Sequence, residues 1–363
     1  MTNSKNYYCV ILAGGTGSRL WPCSRRNKPK QFHDFFGVGR TLLQQTYDRF
    51  AQIVPKDHIY ITTFVEYVDL VKEQLPEVKR ECILAEPVQL STAPAVAWAT
   101  YHIALTDPHA NMIVTPSDQH IIHEDRFERQ VKKGFEFVGR TPNFLALAVK
   151  PTIPETGYGY IQLGDEVIDE DFTHVKSFTE KPDENFAKMF VESGEFVWNT
   201  GLFMWNVQTM MKALDGFMPN VTQVLEEHEH ITSFEEEMKF VNEYYPSNAY
   251  LSIDLVILER NTNVFAVCGD FGWADVGSWT SLYDTSPKDT DGNVLIDQSQ
   301  AMLYDCQHNL IKLPENKVAV LHGLDGYVIT EKDNILVICK KDDPSLIRRM
   351  LNDAQIKLGN EYV

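Results

Sequence analysis

The sequence predicts an α/β protein: a mixed, mostly parallel sheet flanked by helices, followed by a small C-terminal β appendage. Three observations point there. Over roughly the first 140 positions, short apolar runs alternate with helical patterns of ten to fifteen residues, the pattern of repeated βαβ units. From Phe144 the texture shifts to glycine- and tyrosine-rich segments such as GYGYIQLG. After about Pro287 there are short β-like runs broken by turn residues.

Taken in order, Tyr8 to Leu12 is an apolar strand that opens into glycines. Thr41–Phe50 reads as a helix, His58–Thr62 as a strand and Phe64–Leu75 as a helix. Cys82–Ala85 is a strand; Pro94–Leu105 is a helix with Thr92 as its cap. Met112–Thr115 and Asp125–Val138 complete the alternation as strand and helix. Phe144–Lys150, Thr173–Phe178 and the aromatic Phe196–Trp205 are strands, with a helix at Asn185–Glu192. Helices fill roughly Val207–Tyr245, Ser252–Glu259 suits helix or strand, and Val264–Val267 is a short strand. NVLID, AMLYD, NLIKL, KVAVL, YVITE and NILVI then suggest stacked strands of β-helix-like character, before a short helix at Pro344–Leu351. The turn-rich TSPKDTDGN is the expected linker, placing a catalytic domain at 1–286 and the β-rich domain at 287–363.

The 363 residues carry 33 Lys and Arg against 51 Asp and Glu, a net charge of −18. That balance argues against a nucleic-acid binder but leaves room for a nucleotide held by a few local cations. Cys9, Cys23, Cys82, Cys268, Cys306 and Cys339 include no CxxC pair and are expected as free thiols. No apolar run approaches the ~18 residues of a membrane span. A cytoplasmic protein without a membrane partner is expected. His228 and His230 lie in an acidic helical stretch with no third ligand in view, so zinc is not expected there.

The densest signal is LAGGTGSRLWPCSRRNKPKQF, Leu12 to Phe32. Gly14, Gly15 and Gly17 let backbone amides approach a phosphate. The Walker spacing is absent, and Arg19, Leu20, Trp21 and Pro22 replace the helix start of a dinucleotide fingerprint. Arg19, Arg25, Arg26, Lys28 and Lys30 cluster behind the loop in an otherwise acidic chain. Arg19 and Lys30 are the candidates for the β/γ- and α-phosphates.

The segment GGxGxRLWPxSRxxxPKQF resembles the signature of mannose-1-phosphate guanylyltransferases, and further matches in order cover about residues 8–280. The resemblance implies a Rossmann-like sheet of the nucleotide-diphospho-sugar transferase type. It implies that the loop Leu12, Ala13, Gly14, Gly15, Thr16 and Gly17 binds nucleotide. Glu86, Thr92, Ala93 and Pro94, in EPVQLSTAPA, would line the guanine pocket. Asp118, ending NMIVTPSD, and Asp275, in FGWADVGSW, are by themselves turn or cap aspartates as readily as ligands. The resemblance makes both of them Mg²⁺ ligands. Gln119 stands where the family has histidine, which puts any role of His120 in doubt. Gly159, Glu180, Lys181 and Asn199 match its GYGYI, FxEKP and WNxGxF motifs and would hold the sugar phosphate. Trp198, Phe203 and Trp205 are expected in the core, and Trp273 and Trp279 to pack the Asp275 loop.

The implied activity is Mg²⁺-dependent nucleotidyl transfer from GTP to α-D-mannose 1-phosphate by direct in-line attack, with Arg19, Lys30, Asp118, Lys181 and Asp275 as the catalytic set. Two alternatives stay open: a nucleotidyltransferase of other base or sugar specificity, and a silent regulatory homologue. The residues after about 287 are too few for a cupin isomerase domain, so guanylyl transfer alone is expected. A homodimer is possible.

Overall fold

Tyr7–Leu12 (YYCVIL) is apolar over its length and buried from Tyr7 to Ile11, as a strand covered on both faces must be. In the computed structural model, which describes residues 6–226, 231, 233–296 and 299–362, it lies within a nine-stranded sheet. The order is Ile83–Glu86, Ile59–Phe64, Tyr7–Leu12, Asn111–Pro116, Phe196–Asn206, Phe144–Val149, Val264–Gly269, Phe172–Thr179, Gly159–Ile168. The first four strands are parallel. Phe196–Asn206 enters antiparallel between two parallel groups. Phe144–Val149 and Val264–Gly269 are parallel, and the last two strands antiparallel. The sheet is therefore mixed, parallel over its first four strands and mostly antiparallel beyond them.

The chain divides into two units. The first holds this sheet and comprises residues up to Gly14, Tyr47–Pro116 and Ile121–Trp273; the second comprises Gly15–Thr46, Ser117–His120 and Ala274–Val363. In the first, Thr92–Thr106 is apolar almost all round and buries Ala93, Val96, Trp98 and Ile103. Glu124–Arg140 buries Phe127, Val131, Phe135 and Val138, one stripe at helical spacing. A carboxylate is buried in this core: Glu237 accepts from Trp98 Nε1 at 2.7 Å and from His102 Nδ1 at 2.8 Å. Trp205 and Phe203 are buried as expected.

Local details differ from the sequence reading. Phe64–Leu75 is a 3₁₀ turn, Val65–Tyr67, followed by the helix Val68–Gln74. Ser252–Glu259 is neither α-helix nor strand but centres on a π-helical turn, Asp254–Leu258. Thr92 is not the cap of its helix. That position is Ser91, at φ 69° and without a side-chain cap, while the Thr92 hydroxyl accepts from Ile253 N at 2.9 Å. His228 and His230 lie outside the described residues.

In the second unit, Val294–Ile296, Leu310–Lys312 and Tyr327–Lys332 stack in parallel, and Ile335–Lys340 closes the stack antiparallel. Gln300–Tyr304 and Val318–His322 form a second parallel ladder. Buried asparagines sew successive turns together: Asn309 donates to Asn293 Oδ1 and accepts from Tyr327 N. The last helix runs Pro344–Leu358, longer than the sequence suggested, and Asp343 caps it by accepting from Leu346 N. One apolar cluster draws together Leu20, Trp21 and Phe35 with Val276 and Trp279, the stacked Val294, Leu310 and Val328, and Ile347 of that helix.

Candidate active site

The sheet unit carries two polar groupings. Ala13 continues the first strand by donating to Thr62 O at 2.8 Å and accepting from Thr63 Oγ1 at 3.0 Å. Gly14 follows, its carbonyl accepting from Gln89 Nε2 at 2.9 Å. A Cβ on Gly14 would stand 3.3 Å from Glu86 Oε1, so the glycine lies against that carboxylate. Glu86 ends its strand 6% exposed and accepts from the Tyr245 hydroxyl at 2.6 Å. Burial pushes the Glu86 carboxyl up to about 7, against the lowering effect of that bond. The Thr92–Pro94 turn is held by Ala93 N donating to Leu251 O at 2.9 Å. Pro94 needs no donor in the first helical turn.

The second grouping begins at Gly159, which pairs with Asn199 across adjacent strands. A Cβ on Gly159 would come 3.0 Å from Glu180 Oε2 and 3.4 Å from Asn199 Cβ, so the three residues share one spot. Lys181 hydrogen-bonds Glu180 and sits at φ 43°, a left-handed conformation that is costly for lysine. Asn199 accepts from Gly201 N and donates to Asp254 Oδ1, both at 3.0 Å. Ser252 Oγ donates to Asp254 Oδ2 at 2.8 Å. Burial raises the Asp254 carboxyl above the usual range, the hydrogen bonds from Ser252 and Asn199 opposing. Tyr158 lies edge-on to Trp198 and Trp273 with centroids 5.2 and 5.0 Å away.

The second unit carries the charged cluster. Gly17 has φ 62°, and a Cβ there would lie 2.6 Å from Ser24 Oγ and 2.7 Å from Lys30 Cγ, so only glycine fits. Ser24 Oγ donates to Thr16 O and Gln31 Nε2 to Gly15 O, each at 3.0 Å, fixing the rest of the loop. Lys30 is 8% exposed, and its Nζ lies 2.5 Å from Asp118 Oδ2 and 3.9 Å from Asp275 Oδ1. Its third neighbour is the Val276 carbonyl at 3.2 Å. Burial works against the ammonium, but the two aspartates outweigh it and hold the Lys30 pKa above its ordinary value. Asp118 is tied to the Asp275 segment through Val276 N donating to Asp118 O at 3.3 Å. Gly277 completes the corner: a Cβ there would fall 2.4 Å from Asp275 Oδ2 and 2.8 Å from Arg19 Nη2. Trp279 Nε1 donates to Trp21 O at 3.1 Å, so this tryptophan also packs.

The five clustered cations thus part company. Arg19 and Lys30 meet the aspartates. Arg25 instead turns to the stacked strands, donating to Lys332 O at 2.8 Å and pairing with Asp333 at 3.6 Å. Arg26 and Lys28 are exposed. His120 stacks on Phe36, centroids 4.2 Å apart. Among the described residues no three or more His, Cys, Asp or Glu side chains form a metal cluster, so Asp118 and Asp275 stand as a two-carboxylate set. Sequence reasoning missed Tyr245, Gln89, Ser252 and Asp254. The Ser-x-Asp spacing before the apolar run DLVIL was the available signal for the last pair.

A glycine loop that follows a parallel strand, and two acids on a buried lysine, are features suited to a phosphate-handling α/β enzyme. The sequence profile of the nucleotidyl transferase family matches residues 8–292, and the chain belongs to that family. It is 31% identical to an Escherichia coli mannose-1-phosphate guanylyltransferase over 97% of this chain and 76% of that one. It is 32% identical to a Klebsiella pneumoniae protein of the same name over 97% and 75%. A Thermus thermophilus structure, described as a mannose-1-phosphate geranyltransferase, superposes with TM-score 0.87 at 27% identity. It covers 96% of this chain and 99% of its own. The activity of this chain is that of a nucleotidyltransferase. No helix among the described residues is long and apolar enough to cross a membrane.

Proposed function

We propose that this chain joins GTP to α-D-mannose 1-phosphate, forming GDP-mannose and diphosphate. The observation that carries the chemistry is the convergence of Asp118 and Asp275 on the buried Lys30 ammonium, with Arg19 beside Gly277. The relatives supply the choice of substrates.

A phosphate oxygen of the sugar phosphate attacks the α-phosphorus of GTP in line. The bond from that phosphorus to the bridging oxygen breaks, and its electrons leave with diphosphate. No protein nucleophile is called for; positioning and charge neutralisation do the work. Arg19 stabilises the departing diphosphate. Lys30 and Lys181 offset the charge of two anions brought together. Glu86 and the Thr92–Pro94 turn receive the guanine. Glu180, Asn199 and the Gly159 backbone hold sugar hydroxyls, with Asp254 and Ser252 fixing the Asn199 amide. The two carboxylates are hard oxygen donors of the kind Mg²⁺ takes. Asp118 and Asp275 would hold it, and when bound it supplies neutralisation to the phosphates.

The test is Mg²⁺-dependent diphosphate release across a matrix of nucleoside triphosphates and hexose 1-phosphates. Release confined to GTP with mannose 1-phosphate is expected. Release with another pair overturns the specificity, and silence of the folded protein across the matrix overturns the activity.

A further inference from the structure

The sheet unit has a second polar cleft, away from the groupings above. It measures about 660 Å³ and opens at the amino ends of the parallel strands. Asn6 precedes the strand Tyr7–Leu12, Asn111 begins Asn111–Pro116, and Asn263 precedes Val264–Gly269. Gly14 and Glu86 lie at the carboxyl ends. A six-residue strand puts about 20 Å between the two edges.

The lining is unusual for this chain. A protein of net charge −18 places Arg140, Lys212 and His109 around one cleft and contributes no Asp or Glu to it. Lys212, on the helix Val207–Phe217, makes no ion pair among the described residues, and the Arg140 partner, Asp169, is not part of the lining. Asn111 is only 4% exposed. Its Oδ1 accepts from Asn206 Nδ2 at 3.2 Å, while its own Nδ2 has no acceptor among the described residues. An amide donor without a protein partner is open to a ligand oxygen. Gln208 completes the polar wall. A lysine without an acid partner beside an arginine favours an anion, and the amides around them favour hydroxyl and carbonyl oxygens. The volume falls in the ordinary range for small-ligand sites.

We propose that this cleft is a second ligand site, separate from the catalytic groups, for a hydroxyl-bearing phosphomonoester such as a sugar phosphate or nucleoside monophosphate. Lys212 and Arg140 take the phosphate, and Asn111 Nδ2 donates to a ligand oxygen.

The test is calorimetric titration of the full chain with inorganic phosphate, mannose 1-phosphate and GMP, repeated on Lys212→Glu and Arg140→Glu. Both side chains are exposed, so both variants should fold, and neither belongs to the catalytic set. The expected result is a binding class for at least one of the two esters that weakens ten-fold or more in each variant, with turnover at saturating substrate unchanged. Inorganic phosphate binding as tightly as the esters would overturn the hydroxyl-recognition part. Isotherms identical in wild type and variants for all three probes would overturn the site. None of these readings depends on which nucleotide and sugar the enzyme joins.

Discussion

Replacing Glu86 by Gln tests whether this buried carboxylate is held near neutrality. The Glu86 carboxyl is raised to about 7 from an ordinary 4.5. The folded state therefore binds a proton more readily than the unfolded chain does. The contribution is fully present below pH 4.5 and is lost as pH rises through 7. At about 1.4 kcal/mol for each pH unit of difference, the loss across the window is roughly 3 kcal/mol. Glu86→Gln keeps an acceptor for the Tyr245 hydroxyl and cannot ionise, so it should escape that loss. Expressed as melting temperature, about 2 °C for each kcal/mol in a unit of this size, the variant should gain roughly 6 °C on wild type between pH 4.5 and 8. Differential scanning fluorimetry of both proteins across that range measures the difference, and other titrating groups cancel. A wild-type-minus-variant curve flat from pH 4.5 to 8 would refute the reasoning, because Glu86 would then titrate alike folded and unfolded.

Asp118→Asn should cut kcat by about 10³-fold or more while circular dichroism stays native, since it removes a charge beside the reacting phosphates; near-normal turnover would sink the metal assignment. Gly17→Ala forces a Cβ to within 2.7 Å of the Lys30 side chain at φ 62°. A stability loss above about 1 kcal/mol together with weaker GTP binding is expected from urea melts and titration. Glu237→Ala strands the Trp98 and His102 donors in the core and should lower stability by about 3 kcal/mol without altering KM for either substrate. Asp254→Leu frees the Asn199 amide and should raise KM for mannose 1-phosphate several-fold with KM for GTP unchanged, as read from initial-rate kinetics.

What the sequence disclosed follows how locally each feature is encoded. The βαβ half was legible because strands such as Ile59–Phe64 and Asn111–Pro116 are short apolar runs alternating with helical patterns. The glycine loop and its lysine were legible because φ 62° at Gly17 leaves no other residue possible. Thr92 was misjudged because its hydroxyl serves a backbone amide 161 positions away, which no helix-start pattern encodes. Arg25 clustered with Arg19 in the sequence, yet its partner is the carbonyl of Lys332. Tyr245 and Asp254 went unnoticed for the same reason: each acts through a side chain distant in the chain, Glu86 in one case and Asn199 in the other.

The shared apolar cluster of the second unit has a consequence for biosynthesis. Trp21 donates its indole N–H to the carbonyl of Tyr362 at 2.8 Å, and Leu20 packs in one cluster with Ile347. A ribosome delivers Trp21 tens of seconds before Tyr362 at ordinary translation rates. Until then the segment bearing Arg19 lacks one part of the cluster it packs in, the last helix with its Ile347. A nascent chain stalled before its last helix should thus be cut by protease more readily near Leu20 and Trp21 than within the strands of the large sheet.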